Sequence, residues 1–126
     1  MTLFKIMLFF FLSISISSCY QQERNCEKFK VGTFEFQTLL NGQLATTTFV
    51  RNDSIEIDFF ENKADTSSIR WINNCECILT NLNPKNRSEE KPLHMKILTT
   101  NKNDYTFEYG LVGSSKKEKG TATKTN

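Results

Sequence analysis

The sequence predicts an all-β protein, an eight-stranded antiparallel barrel of up-and-down topology in which each strand pairs with the next along the chain. Apolar and polar residues alternate with a period of two in short segments, and no long segment shows the helical period. Clusters of Asn, Asp and Gly separate these segments and suit tight turns. A flat meander would leave an apolar face wet and two edges unpaired, and closure removes both problems. A two-sheet sandwich is the alternative, which regular hairpin connections favour less.

The first four strands are predicted between residues 31 and 73. The first places Phe34 and Phe36 on one face and ends at Asn41-Gly42, a strong hairpin signal because both residues tolerate positive φ. The third alternates so regularly that we expect its acidic residues, Glu56 and Asp58, to face solvent. Its apolar residues, Ile55, Ile57 and Phe59, are then expected to face inward. The predicted strands are 31–40, 43–51, 54–61 and 67–73, with a turn at 61–65.

Four further strands are predicted between residues 75 and 124. Each of the first three has an apolar face, and the last is polar and weak. The longest loop, residues 81–92, contains both prolines. The predicted strands are 75–80, 93–100, 105–112 and 116–124.

The N-terminus predicts a lipoprotein signal peptide at residues 1–18. One lysine precedes an apolar run at 6–16, which is too short for a transmembrane helix and suits a secretory signal. The run ends in Ile16-Ser17-Ser18-Cys19, which resembles the lipobox of bacterial lipoproteins. That resemblance implies cleavage before Cys19 and attachment of fatty acyl chains such as palmitate to it.

Residues 19–25 are then expected to form a lipidated polar tether, and residues 26–126 a single barrel domain. Position 20 is Tyr rather than the Asp that marks retention at the inner membrane in enterobacteria, which favours an outer-membrane anchor. We expect the anchored domain to face the periplasm, although position 20 does not determine this. Only Lys5 among the charged residues lies in 1–18, so the formal net charge falls from +2 to +1 on cleavage. Such a balance predicts no nucleic-acid partner.

Three segments of the body resemble a group of small, lipocalin-like lipoproteins from Bacteroidetes. These segments are CEKFKVGTFEF, TTTFVRNDSIEIDFFENK and SSIRWINNCECIL. The resemblance implies a fold and a location but no reaction. Some members carry a DNA topoisomerase IV label, which this sequence does not support because it has no ATPase loop and too little chain.

Three cysteines remain after Cys19. An oxidising compartment favours a disulfide, and Cys75 and Cys77 are too far apart along one strand to pair well. Cys26 precedes the first strand and Cys75 opens the fifth, so both are expected at the same end of the barrel and are predicted to pair. A Cys26–Cys77 pair would move the register of the fifth strand. A zinc site from the three cysteines and His94 is disfavoured by spacing and compartment, and neither a metal nor a cofactor is predicted beyond the lipid on Cys19.

Seven aromatic residues share the predicted inward face. They either fill the barrel or line a cavity for a small apolar ligand. Glu56 with Asp58, and His94, are interpreted as solvated outer-face residues, so no catalytic cluster is visible and the protein is not expected to be an enzyme. We therefore expect a binding lipoprotein; the alternative is a protein-interaction module, an envelope assembly factor or inhibitor acting through residues 81–92. The seven residues are Phe34, Phe36, Phe59, Trp71, Tyr105, Phe107 and Tyr109.

Overall fold

Eight antiparallel strands close into a barrel in the computed structural model, which describes residues 24–126 and, at positions 39 and 40, the backbone only. Neighbours in sequence are neighbours in the sheet, and three residue pairs join β1 to β8. The predicted meander barrel is confirmed. The strands are β1 Gly32–Leu40, β2 Gln43–Arg51, β3 Ile55–Phe60, β4 Lys63–Trp71, β5 Glu76–Asn81, β6 Leu93–Asn101, β7 Asp104–Leu111 and β8 Glu118–Lys124.

The N-terminal predictions fall outside the described residues. These are the signal peptide at 1–18, the lipidated Cys19 and all of the tether except its last two residues. Within residues 24–126, none of the helices is long and apolar enough to span a bilayer.

Tight turns set the register of the first three strands. Asn41 and Gly42 have φ of 53° and 79°, so Leu40 pairs with Gln43 and, further along, Phe34 pairs with Phe49. In the next turn the Asn52 side chain accepts hydrogen bonds from the amides of Ser54 and Ile55, both at 2.9 Å. This turn places Arg51 directly opposite Glu56.

The predicted faces of β3 were wrong. Phe59 is 44% exposed on the outer surface, whereas Glu56 is 6% exposed and Asp58 lines the interior. The alternation itself is real, but residues directly opposite each other in an antiparallel pair share a face. Because Phe49 is buried and pairs with Asp58, the acidic residues of β3 must point inward.

Other differences concern short elements. β4 begins at Lys63 rather than 67, because the turn before it contains only Glu61 and Asn62, with φ of 47° and 63°. The loop at 82–92 contains one turn of helix, α1 (Arg87–Glu90), whose N-cap Asn86 accepts a hydrogen bond from the Glu89 amide. A 3₁₀ helix, Cys26–Phe29, precedes β1.

That 3₁₀ helix closes one end of the barrel. Phe29 is fully buried, with its ring 5.0 Å from that of Tyr105. A disulfide joins Cys26 to Cys75, the pair predicted from the topology, and Cys77 is a free, buried thiol. Lys124 donates to the carbonyl of Lys28 at 2.9 Å, which ties the end of β8 to the same helix. We call this the closed end; the turns at 41–42 and 61–62 and the loop at 82–92 lie at the opposite, open end.

Candidate functional site: a cavity with a charged floor

A cavity of about 270 Å³ lies inside the barrel. Most of its wall is apolar or aromatic, and Thr47 and three ionisable side chains contribute the rest. An apolar cavity of roughly 150 Å³ is enough to hold benzene, so this one accommodates a ring with a short chain. It is lined by Phe36, Thr47, Phe49, Arg51, Glu56, Asp58, Leu79, Leu93, Met95, Tyr105, Phe107 and Tyr109.

Four of the seven aromatic residues singled out from the sequence line this cavity, namely Phe36, Tyr105, Phe107 and Tyr109. Phe34 is fully buried in the packed core beside the 3₁₀ helix, and Trp71 packs against that core without lining the cavity. Phe59 lies outside the barrel, because the outward face of β3 is the one that was predicted to face inward. Both predicted alternatives therefore apply, in different parts of the barrel. Inward side chains fill the closed end, and those nearer the open end line the cavity.

Arg51 forms the floor of the cavity at the closed end. Its guanidinium donates to the Glu56 carboxylate at 2.8 Å, to the Phe29 carbonyl at 2.8 Å and to the Tyr105 hydroxyl at 3.3 Å. The rings of Phe34, Phe49 and Trp71 surround it at 5.1 to 5.8 Å, within the range of cation–π attraction. Arg51 is 2% exposed, and every donor nitrogen already has a partner.

The electrostatics of this floor keep Arg51 charged. Burial alone would lower the pKa of the guanidinium, but its interactions with Tyr105 and Glu56 outweigh burial and the net pKa is raised. Burial raises the pKa of the Tyr105 hydroxyl to about 12, and that of the Cys77 thiol to about 12. At neutral pH the tyrosine and the thiol are therefore uncharged, and Cys77 is a poor nucleophile because its thiolate is scarce.

Asp58 lies two residues along β3 from Glu56, towards the open end. Burial raises its pKa to about 8, and the charge of Glu56 and a hydrogen bond between the two carboxyl groups act in the same direction. Arg51 opposes this shift, and Asp65, directly opposite on β4, adds to it. The cavity thus holds one ion pair and one carboxyl group that keeps its proton at neutral pH.

His94 lies outside this site. It contacts Glu76 across β5 and β6 at 3.1 Å, so it is a half-buried surface residue with a partner rather than a freely solvated one. A hydrogen bond from Asn73 lowers the pKa of Glu76, and the neighbouring Lys96 and His94 act in the same direction. The disulfide consumes two of the thiols that the disfavoured zinc site needed. Among residues 24–126, no cluster of three or more His, Cys, Asp or Glu side chains is arranged for a metal ion.

Sequence reasoning missed the charged floor, although a signal for it was present. The turn at Asn41-Gly42 places Phe34 opposite Phe49, so both share the inward face. Arg51 lies on the same face as Phe49, and the next turn places Glu56 opposite Arg51. Following the inward face from one turn to the next would have placed Glu56 and Asp58 inside. Alternation within β3 alone does not decide which face is buried.

Comparisons with protein-family models, curated proteins and solved structures found no match to this chain.

Proposed function

We propose that the protein is a membrane-anchored periplasmic lipoprotein whose barrel binds a small molecule with an apolar body and does not catalyse a reaction. The cavity carries this proposal: its volume of about 270 Å³ and its wall of aromatic and aliphatic side chains suit one small ligand. Its ionisable groups support binding rather than turnover. Glu56 is held by Arg51, and the Cys77 thiol has a pKa raised to about 12.

The anchor in this proposal is the lipid on Cys19, and the barrel would carry its closed end towards the membrane. Arg24 donates to the Ile97 carbonyl at 2.6 Å, and the Asn25 amide donates to the Thr100 hydroxyl at 2.8 Å, so the chain joins the barrel along β6. The five residue-to-residue steps from Cys19 to Arg24 span at most about 17 Å. The open end of the barrel would then face the periplasm.

Ligand-observed nuclear magnetic resonance with small aromatic and aliphatic compounds tests the binding function. Thr47→Phe adds a ring to the cavity wall, whereas Thr46→Phe adds the same ring to the exposed outer face of the same strand. We expect compounds that bind the wild type and Thr46→Phe to lose binding to Thr47→Phe. Equal binding to both variants, or none to the wild type, would contradict a cavity ligand.

A protein-interaction module is the second candidate, and the outer face of β2 and β3 favours it. Val50 and Phe59 are exposed there, and Ile57 pairs with Val50 between them. A surface of neighbouring apolar side chains is typical of a protein contact. A photo-crosslinker at position 59 should then capture a specific envelope protein, whereas the same group at the exposed position 46 should not.

A further inference from the structure

We propose that the ligand is a small organic cation, an amine with an aromatic or compact aliphatic body, and that the Asp58 carboxylate is its counter-ion. This inference rests on the proposed binding function and adds the charge of the ligand. It follows from the way the three charged side chains of the cavity are paired.

The cavity contains two carboxyl groups and one guanidinium, Glu56, Asp58 and Arg51. Arg51 cannot serve an anionic ligand, because its nitrogens donate to Glu56, Phe29 and Tyr105 and rings surround its plane. Breaking those contacts would leave a buried carboxylate without its cation, which is strongly unfavourable. The arrangement therefore selects against a fatty acid or any other carboxylate.

Asp58 is the ionisable group that a ligand can reach. It is half-buried on the side of Glu56 that faces the open end. Within residues 24–126, the ion pairs include none between Asp58 and a lysine or arginine. A ligand ammonium beside Asp58 would supply the positive charge that the second carboxylate lacks.

The aromatic wall of the same cavity suits a cation with an apolar body. The rings of Phe36 and Phe107 lie 5.4 Å apart, and those of Phe107 and Tyr109 lie 5.6 Å apart, so they form a continuous aromatic surface. Aromatic faces attract ammonium groups, more strongly where water is excluded. The apolar part of the ligand would gain from burial against the same rings.

The proton on Asp58 couples binding to pH. The groups that act on Asp58 are Glu56 on β3, Arg51 on β2 and the exposed Asp65 on β4. Tyr105 and Tyr109 of β7 line the same cavity, Tyr109 donates to Glu118 of β8, and the Cys77 thiol of β5 lies near Arg51 and Glu56. Asp58 keeps its proton up to about pH 8 in the empty cavity. An ammonium group binds the carboxylate form, so a proton leaves Asp58 for solvent when the cation enters. An alkyl ammonium, with a pKa of about 10 like that of lysine, stays charged throughout this range.

Three probes that share one body and differ in charge test the inference: 2-phenylethylamine, 2-phenylethanol and phenylacetate. Calorimetry on the folded protein should show the amine binding most tightly and phenylacetate least. Since only the carboxylate form binds the amine, its affinity should fall about 50-fold from pH 8 to pH 6 for a site pKa of about 8. The affinity for 2-phenylethanol should not fall with it.

Two matched variants assign the effect. Asp58→Asn keeps the shape of the site and removes its charge, so it should lose the preference for the amine and its pH dependence while still binding 2-phenylethanol. Asp53→Asn removes an exposed carboxylate from the turn between β2 and β3, at the closed end, and should retain both properties. If phenylacetate or 2-phenylethanol bound more tightly than the amine, the proposal of a cationic ligand would be wrong and the proposal of small-molecule binding would stand. Failure of all three probes at millimolar concentration would overturn both.

Discussion

Arg51 and Glu56 form a buried ion pair in which each side chain needs the other as its counter-charge. Both side chains are nearly inaccessible to solvent, and their 2.8 Å contact lies in the interior. Bringing two charges out of water is costly, so such a pair contributes little net stability, whereas removing one member leaves the other buried without a counter-charge. The pair therefore matters more for fixing the floor of the cavity than for stabilising the fold.

We expect Glu56→Leu to lower the free energy of unfolding by about 3–5 kcal/mol, because it leaves the Arg51 guanidinium unpaired. Adding Arg51→Met should restore part of that loss, although the Phe29 carbonyl then loses its donor. Urea denaturation of the two variants at neutral pH measures both effects. A single variant within about 0.5 kcal/mol of the wild type would show that the pair is not buried as described.

Asp58 should make the protein less stable as pH rises. The folded protein holds this proton up to about pH 8, whereas the unfolded chain releases it at about pH 4. The contribution of Asp58 to stability is therefore full below about pH 4 and is lost as pH rises towards about 8, where the folded protein also titrates. Asp58→Asn should remove this dependence.

Urea denaturation of the wild type and Asp58→Asn at several pH values checks this. The advantage of the asparagine variant should grow from about pH 5 to about pH 8 and then level off. Asp53→Asn, which removes an exposed carboxylate from the turn between β2 and β3, is the control. Parallel curves for the wild type and Asp58→Asn would mean that Asp58 titrates like an exposed carboxylate.

At the scale of elements, the 3₁₀ helix depends on tertiary contacts for its existence. Its four residues, Cys26–Phe29, are too few to form a stable helix alone. The disulfide to Cys75 and the burial of Phe29 hold it over the closed end, where its last carbonyl accepts from Arg51. Loss of this helix would therefore also loosen the floor of the cavity.

Replacing both Cys26 and Cys75 by alanine should lower the free energy of unfolding by up to about 4 kcal/mol, because the bond closes a loop of 49 residues in the unfolded chain. Amide hydrogen exchange should rise first at residues 26–30. Peptide mapping without reduction should recover the 26–75 link with a free thiol at Cys77. A 26–77 link, or unchanged stability and exchange in the double variant, would contradict this role.

Several elements could be predicted because local chemistry determines them. β2 was predicted with its observed limits, since Asn41-Gly42 and Asn52 fix both of its ends. The short turn before β4 could not be, because Glu61 at positive φ is unusual and gives no turn signal of its own. The 3₁₀ helix carries no periodicity. The helical turn at 87–90 was missed although Asn86, three residues before Glu89, is a helix N-cap signal.

The candidate site was harder to predict than the strands. Phe36, Phe107 and Tyr109 could be assigned to the interior from alternation, but whether an interior residue lines a cavity depends on its height in the barrel. That height is set by the stagger of all eight strands. Phe34 and Trp71 share the inward face yet lie in the packed closed end, which no single strand reveals.

In the whole molecule, the proposed lipid on Cys19 would hold the barrel and its interior site at the membrane. Cys19→Ala should prevent acylation and leave a chain that is soluble or retains residues 1–18, while the barrel still folds. Mass spectrometry of the membrane and soluble fractions measures both the acyl mass and the cleavage. A variant that still carried acyl chains would contradict the assignment of the anchor to Cys19.

If Asp58 is the counter-ion of a bound cation, the ligand must change the pKa of its carboxyl group, which a titration of the carboxyl carbon measures. Carbon-13 spectra of labelled protein, assigned with Asp58→Asn, would follow this group from about pH 4 to about pH 10, with and without 2-phenylethylamine. We expect an apparent pKa of about 8 in the free protein, moved clearly downward by saturating amine. A pKa in the ordinary range near 3.8 without ligand would contradict the burial of Asp58, and a pKa that the amine leaves unchanged would contradict its role as counter-ion.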